Sequence, residues 1–269
     1  MDSVTDIRIT RMTDHPEITT DIVAVEEPLE IRLTTEVETR KVSITMRTPG
    51  HDEELALGFL FTEGLVSDYE VVQQVDVDTL TGQFIEIGLR KGVRPILNQI
   101  ERNFYTTSSC GICGKASLDA VRVYAKYRNP DNPLRIRASV LRQLPASALL
   151  QQGAFHQTGG LHASALFDTA GSLTLIREDV GRHNALDKVI GHSFAKGLLP
   201  LKDNLLLLSG RISFELVQKA VMAGIPIIAA IGAPSSLAIQ LADEEGVTLI
   251  GFLREGRYNV YTHPHRIDV

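Results

Sequence analysis

Cysteine is scarce in this chain, at 2 of 269 residues. No apolar run reaches the roughly 20 residues that a membrane-spanning helix needs. The opening Met1-Asp-Ser-Val-Thr-Asp-Ile-Arg8 lacks the charged-then-apolar pattern of a secretory signal, so a cytoplasmic location is expected. In that compartment a structural disulfide is not expected. Basic charge is also short. There are 27 Lys and Arg against 33 Asp and Glu, a net charge of −6, which argues against a surface built for nucleic acid or an acidic membrane. Neither a G-x-G-x-x-G nor a G-x-x-x-x-G-K-[ST] loop is present, and no internal repeat or low-complexity segment is evident.

What is there suffices for a globular core: 43% of residues are hydrophobic and 22% charged. The two cysteines, Cys110 and Cys113, lie together in Thr106-Thr-Ser-Ser-Cys-Gly-Ile-Cys-Gly-Lys115. Gly111 and Gly114 make this a loop, and residues 116–127 read as a helix after it. A helix N-terminus and Lys115 both favour a thiolate. Three chemistries fit a C-x-x-C here. Zinc usually takes four ligands; His156, His162, His183 or His192 would have to complete the set, and none has a telling spacing. Thiol–disulfide exchange of the thioredoxin kind would place the motif after a first strand, not in mid-chain. In sulfur relay, one thiolate carries a persulfide and the second thiol releases it by exchange.

Residues 1–21 are polar and expected to be loosely ordered. Strand-like alternation marks 22–33 and 37–46 as a hairpin, 51–65 reads as a helix, and 71–77 and 84–89 as two more strands. The turn cluster Arg128-Asn-Pro-Asp-Asn-Pro133 places a boundary, giving a smaller strand-rich unit over 22–130 with the cysteine loop and an α/β unit over 131–269. The second unit begins with a helix over 139–152, broken at Pro145, and a strand–turn–strand over 161–177. Helices over 184–196, 214–223 and 236–245 then alternate with strands over 204–208, 226–231 and 247–252. Continuous apolar strands such as Leu205–Leu208 imply βαβ units and a mainly parallel, helix-covered sheet.

Two further clusters carry polar chemistry. Arg177-Glu-Asp-Val-Gly-Arg-His-Asn-Ala-Leu-Asp-Lys188 is either a capped, solvated helix start or a site wall, with Asp179, Arg182, His183, Asn184 and Lys188 reaching into a cleft. The turns 209–213, 231–236 and 252–257 follow strands, where ligands bind in parallel α/β sheets. Arg211, Arg254 and Arg257 add bidentate donors, and together they point to a phosphorylated, nucleotide-like ligand. A zinc deaminase would carry H-x-E and then P-C-x-x-C; here His162 is followed by Ala163 and Ser164, so a deaminase reaction is not expected.

The chain resembles the FdhD family of formate dehydrogenase accessory sulfurtransferases. The resemblance rests on Ser108-Ser-Cys-Gly-Ile-Cys-Gly114, Thr158-Gly-Gly-Leu-His-Ala163, Glu178–Lys188, Ser209-Gly-Arg-Ile-Ser213 and Gly251-Phe-Leu-Arg-Glu-Gly-Arg257, in that order, and is weakest before Asp21. It implies an α/β (α+β overall) fold, with a cytidine-deaminase-like, helix-covered mixed sheet in the C-terminal half and a smaller strand-rich N-terminal domain. It implies that a cysteine desulfurase supplies sulfur, that Cys110 carries it as a persulfide and that Cys113 assists. The implied acceptor is a molybdenum (or tungsten) bis(molybdopterin guanine dinucleotide) cofactor with GDP-like ends, bound at Phe252, Leu253, Arg254, Glu255, Gly256 and Arg257 and then inserted into formate dehydrogenase. A homodimer is implied, and no permanently bound metal. The rival expectations are a cofactor-binding chaperone that transfers no sulfur, and a zinc-binding module.

Overall fold

The computed structural model describes residues 2–93, 95, 126–127 and 131–269. Cys110, Cys113, Lys115, the helix expected over 116–127 save its last two residues, and 128–130 of the turn cluster lie outside the described residues.

The chain begins with an antiparallel ribbon of β1 (Val4–Met12) and β2 (Pro16–Ala24), paired from Val4↔Ala24 to Met12↔Pro16. Loose order was expected here. The polar composition hides a run of β-branched residues (Val4, Thr5, Ile7, Ile9 and Thr10 against Ile18, Thr19, Thr20, Ile22 and Val23), which suits extended backbone.

The small sheet follows three of the expected strands closely, but the one expected over 22–33 is divided, with 22–24 ending β2 and the next strand starting only at Glu27. It holds β3 (Glu27–Thr34), β4 (Thr39–Arg47), β5 (Val72–Val77) and β6 (Phe84–Leu89), in the order β4-β3-β6-β5. Alternate residues Leu29, Ile31 and Leu33 of β3 are buried, with Ile85 and Ile87 of the parallel neighbour β6. Helix α1 (Asp52–Thr62) packs in the same core through Leu55 and Leu60. Three acids, Asp52, Glu53 and Glu54, fill its first turn, where the helix dipole favours them.

A short β7 (Ile136–Arg137) leads into α2 (Ala138–Leu141), α3 (Leu144–Leu149) and α4 (Gly153–Thr158). The break expected at Pro145 is present: this proline sits in the first turn of α3, where no donor is lost.

The rest of the chain builds the large sheet and its helices. The elements are β8 (His162–Phe167), β9 (Leu173–Asp179), α5 (Arg182–Ala195), β10 (Leu205–Leu208), α6 (Phe214–Met222), β11 (Ile227–Ala230), α7 (Ser236–Glu244), β12 (Thr248–Gly251) and β13 (Asn259–Thr262). A last β14 (Ile267–Asp268) pairs with β7 and ties down the C-terminus. The strand order is β13-β12-β11-β10-β8-β9. Only β10–β11 and β11–β12 run parallel, so the sheet is mixed and not mainly parallel. The β8–β9 hairpin lies antiparallel beside β10. The turn between β12 and β13 is too short for the helical crossover that a parallel partner needs.

One apolar cluster runs through both sheets. It includes Leu29, Leu60 and Ile85 from the first and Leu186, Ile190, Leu206 and Ile228 from the second. Helices α1 and α5 bridge the two by touching backbone to backbone. A Cβ at Gly58 would lie 1.9 Å from the Asp187 carbonyl oxygen, and one at Gly191 would lie 1.8 Å from that of Glu54. No described helix is long and apolar enough to cross a membrane.

Candidate functional site

The parallel strands β10, β11 and β12 are buried along their whole length, so their polar groups gather where the strands stop. The three turns beyond them are laced together by backbone hydrogen bonds. Gly232 N donates to Gly210 O (3.1 Å), Ser235 N to Ile212 O (3.0 Å), Phe252 N to Gly232 O (3.0 Å) and Leu253 N to Ala230 O (2.9 Å). The approach is close enough to require glycine: a Cβ at Gly232 would lie 2.6 Å from Gly210 O. The structure therefore brings the turns 209–213, 231–236 and 252–257 into one floor.

Within 252–257 the six residues divide. Leu253 is fully buried and anchors the turn, whereas Phe252, Arg254, Glu255, Gly256 and Arg257 are exposed. Arg254 Nη1 donates to Ile231 O and Leu253 O, both at 2.8 Å, and Arg254 N donates to Arg257 O at 2.9 Å. Phe252 holds φ at 53°, a left-handed conformation that costs a non-glycine residue about 1–3 kcal/mol. The residue is 44% exposed, which leaves an aromatic side chain open to solvent beside the floor.

Helices α5, α6 and α7 begin at this same end of the sheet, each with backbone N–H groups free of intrahelical partners in its first turn. Gly210 sits at the meeting point. A Cβ there would come 3.2 Å from the His162 ring and 3.7 Å from Arg182 Cδ. His183 Nε2 lies 3.1 Å from Ser213 Oγ and 3.0 Å from Glu215 Oε2. Arg182 Nε and Glu215 Oε1 are buried without a hydrogen-bond partner among the described residues. Burial, then the neighbouring Arg182 and His183, push the His162 imidazole below its usual range and favour its neutral form. This donor set, with exposed Arg211, Arg254 and Arg257, fits a ligand bearing several phosphates.

The cluster 177–188 splits in the structure. Arg182 and His183 face the floor, but Asp179, Asn184 and Lys188 do not line a cleft. Lys188 Nζ pairs with Asp179 Oδ2 and donates to Thr48 O at 2.9 Å. Asn184 Nδ2 donates to Met46 O (2.7 Å) and Asp179 Oδ1 (3.0 Å). These three side chains tie the end of β4 to the large sheet. The pattern was ambiguous because the partners that fix their role, Met46 and Thr48, are more than a hundred residues away in sequence.

Cys110 and Cys113, the expected sulfur carriers, lie outside the described residues. Val93, which packs against the core, and Lys126 and Tyr127 flank the segment that holds the cysteines. Lys126 pairs with Asp68, and the Tyr127 ring lies 6.4 Å from that of Phe61. Of the histidines weighed as zinc partners, His192 is engaged with Glu54 and His156 is exposed on α4. No group of three metal-ligating side chains gathers among the described residues. Sequence inspection included Ser213 in the turn 209–213 but gave it no role of its own, and it missed Glu215. The available signal was a Ser at an N-cap with an acid two residues on, opening a helix after a glycine turn.

Residues 24–268 match the model of the FdhD/NarQ family. The chain is 49% identical over 269 residues to the sulfur carrier protein FdhD of Mycolicibacterium paratuberculosis, covering 97% of each chain. It is 51% identical over 255 residues to the sulfur carrier protein FdhD of Streptomyces avermitilis, covering 92% of this chain and 89% of that one. An archaeal relative of the same name, from Sulfolobus acidocaldarius, is 45% identical over 250 residues, covering 93% and 92%. Among solved structures, a protein from Desulfotalea psychrophila, provisionally assigned as a formate dehydrogenase accessory protein, superposes with a TM-score of 0.77. It is 25% identical, covering 99% of this chain and 100% of that one.

Proposed function

The chain belongs to the FdhD/NarQ family, and from that premise we propose that it is a sulfur carrier that matures formate dehydrogenase. Cys110 attacks the persulfide of a cysteine desulfurase, takes its outer sulfur and returns the desulfurase thiolate. Cys113 then attacks Cys110 Sγ. The Cys110–Cys113 disulfide forms, the outer sulfur leaves as hydrosulfide, and the two cysteines supply the electrons that reduce it. The acceptor is a molybdenum or tungsten pterin bearing two guanine dinucleotides, and two copies of the chain act together.

The observation that carries the acceptor half is the floor beyond β10, β11 and β12. Three helix N-termini, the turns that carry Arg211, Arg254 and Arg257, and Arg182 Nε, buried without a hydrogen-bond partner among the described residues, meet there in a chain of net charge −6. Phosphates would lie against those donors, and the exposed ring of Phe252 offers an aromatic face to a guanine or a pterin. The relatives' shared name, sulfur carrier protein, supports the donor half.

Maturation in cells separates this function from that of a chaperone. With Cys110→Ala, formate dehydrogenase should accumulate with its cofactor bound but inactive and lacking the added sulfur. Full activity with Cys110→Ala would leave only the chaperone.

A further inference from the structure

Two buried polar atoms at the floor lack a hydrogen-bond partner among the described residues. They are Arg182 Nε at the start of α5 and Glu215 Oε1 in the first turn of α6. One is a donor and the other an acceptor. The two helix starts are in contact, because His183 Nε2, on the residue after Arg182, lies 3.0 Å from Glu215 Oε2. Arg182 Nε and Glu215 Oε1 nevertheless do not close on each other, and each keeps one hydrogen-bonding position open. Burying an open donor or acceptor is costly, and at a binding floor it calls for a ligand group. A phosphate oxygen suits the donor. It cannot suit the acceptor, since phosphate oxygens at neutral pH only accept and a carboxylate beside them repels them. The acid therefore needs a neutral donor next to the phosphates.

We infer that Glu215 holds a ribose hydroxyl of the nucleotide bound at the floor, so that the site selects a ribonucleotide over its deoxy form. The inference rests on the nucleotide reading of the floor and names the sugar that the site selects. One open oxygen matches one hydroxyl. The guanine edge would instead present two N–H donors side by side to both carboxylate oxygens, and Oε2 already faces His183. His183 Nε2 also lies 3.1 Å from Ser213 Oγ, so the contact that engages Oε2 is itself anchored to the start of α6 and leaves Oε1 as the open oxygen. Glu255, the acid in the turn 252–257, is exposed and satisfied by water. Dinucleotide-binding α/β sheets divide the work in the same way, with the pyrophosphate at a helix N-terminus and a ribose hydroxyl on an acid. Here the two roles fall on neighbouring helix starts, Arg182 on the phosphate side and Glu215 on the sugar side.

Calorimetry of the full chain with GDP, 2′-deoxy-GDP and 3′-deoxy-GDP tests this. On the wild type, at least one deoxy analogue should bind roughly 10- to 100-fold more weakly than GDP, the loss expected of a hydrogen bond to a charged group. In Glu215→Ala, GDP should weaken by a similar factor and the difference between GDP and that analogue should vanish. Glu215→Gln keeps the shape without the charge and should fall between. A purely structural role for Glu215 would weaken all three ligands alike and preserve the difference. Inosine diphosphate, which lacks the guanine amino group, separates base from sugar, and its affinity relative to GDP should be the same in wild type and both variants. A wild type that binds GDP and both deoxy analogues equally overturns the inference, without need of a variant, and leaves the nucleotide reading standing. So does a deoxy penalty that survives undiminished in both variants, or a preference for GDP over inosine diphosphate that vanishes in them. A wild type that binds none of these nucleotides overturns both readings.

Discussion

Lys188 Nζ lies 2.7 Å from Asp179 Oδ2, and the two side chains are 1% and 0% exposed. Neither charge reaches water, and each is satisfied by more than its partner. Lys188 also donates to the Thr48 carbonyl, and Asp179 accepts from Gly181 N and Asn184 Nδ2. The pair holds the strand leading into the floor, the helix leaving it and the chain after β4. Replacing Lys188 by Met strands a buried carboxylate, which should cost about 3–5 kcal/mol. Urea denaturation followed by circular dichroism measures it, and an unchanged midpoint would remove the pair from the account of stability.

The crossing of α1 and α5 makes a second prediction. At Gly58 and Gly191 an added Cβ would meet backbone, which cannot rotate away as a side chain can. Gly58→Ala or Gly191→Ala should therefore destabilise by at least the ~1–3 kcal/mol typical of overpacking. Thermal unfolding of the two variants checks this, and wild-type melting would mean that the helices sit further apart.

Acid sensitivity follows from Glu54. Burial raises its pKa, but hydrogen bonds from Arg177, His51 and His192 outweigh burial and hold the carboxyl well below the usual range. A depressed folded pKa contributes stability above the unfolded value, near 4.5, and loses it as pH falls toward the folded one. Glu54→Gln should thus be less stable than wild type at neutral pH, and the gap should narrow in acid. Denaturation at several pH values measures the gap; a constant one would contradict the assignment.

Binding at the floor predicts a loss with Arg257→Ala. Arg257 is exposed, so the fold should be untouched. A lost charge-assisted contact of about 1.5–3 kcal/mol would weaken a guanine diphosphate roughly 10- to 100-fold. Calorimetry with GDP reads this directly. Unchanged affinity would move the phosphates elsewhere.

How much of this could be read in the sequence depended on whether the signal was local. The runs Leu205–Leu208 and Ile227–Ala230 placed their strands within a residue, whereas the alternation of Leu29, Ile31 and Leu33 placed the end of β3 but not its start, since the expected 22–33 begins five residues before Glu27. Pro145 marked the start of α3 because proline restricts its own backbone. Sheet order was not legible. Nothing in 161–177 says that β8 will lie antiparallel to β10. The roles of Asp179, Asn184 and Lys188 were hidden for the same reason, since their partners Met46 and Thr48 lie at and just beyond the end of β4 in the other sheet. The ribbon of residues 4–24 was locally encoded in its β-branched residues, and its polar composition obscured it.

The central claim is that Cys110 carries sulfur. Incubation of the full chain with a cysteine desulfurase and L-cysteine, followed by intact mass measurement, tests it most directly. The account predicts a gain of one sulfur atom on the wild type, removed by a thiol reductant and missing from Cys110→Ala. A wild type that gains no sulfur, or a Cys110→Ala variant that gains as much, would contradict it.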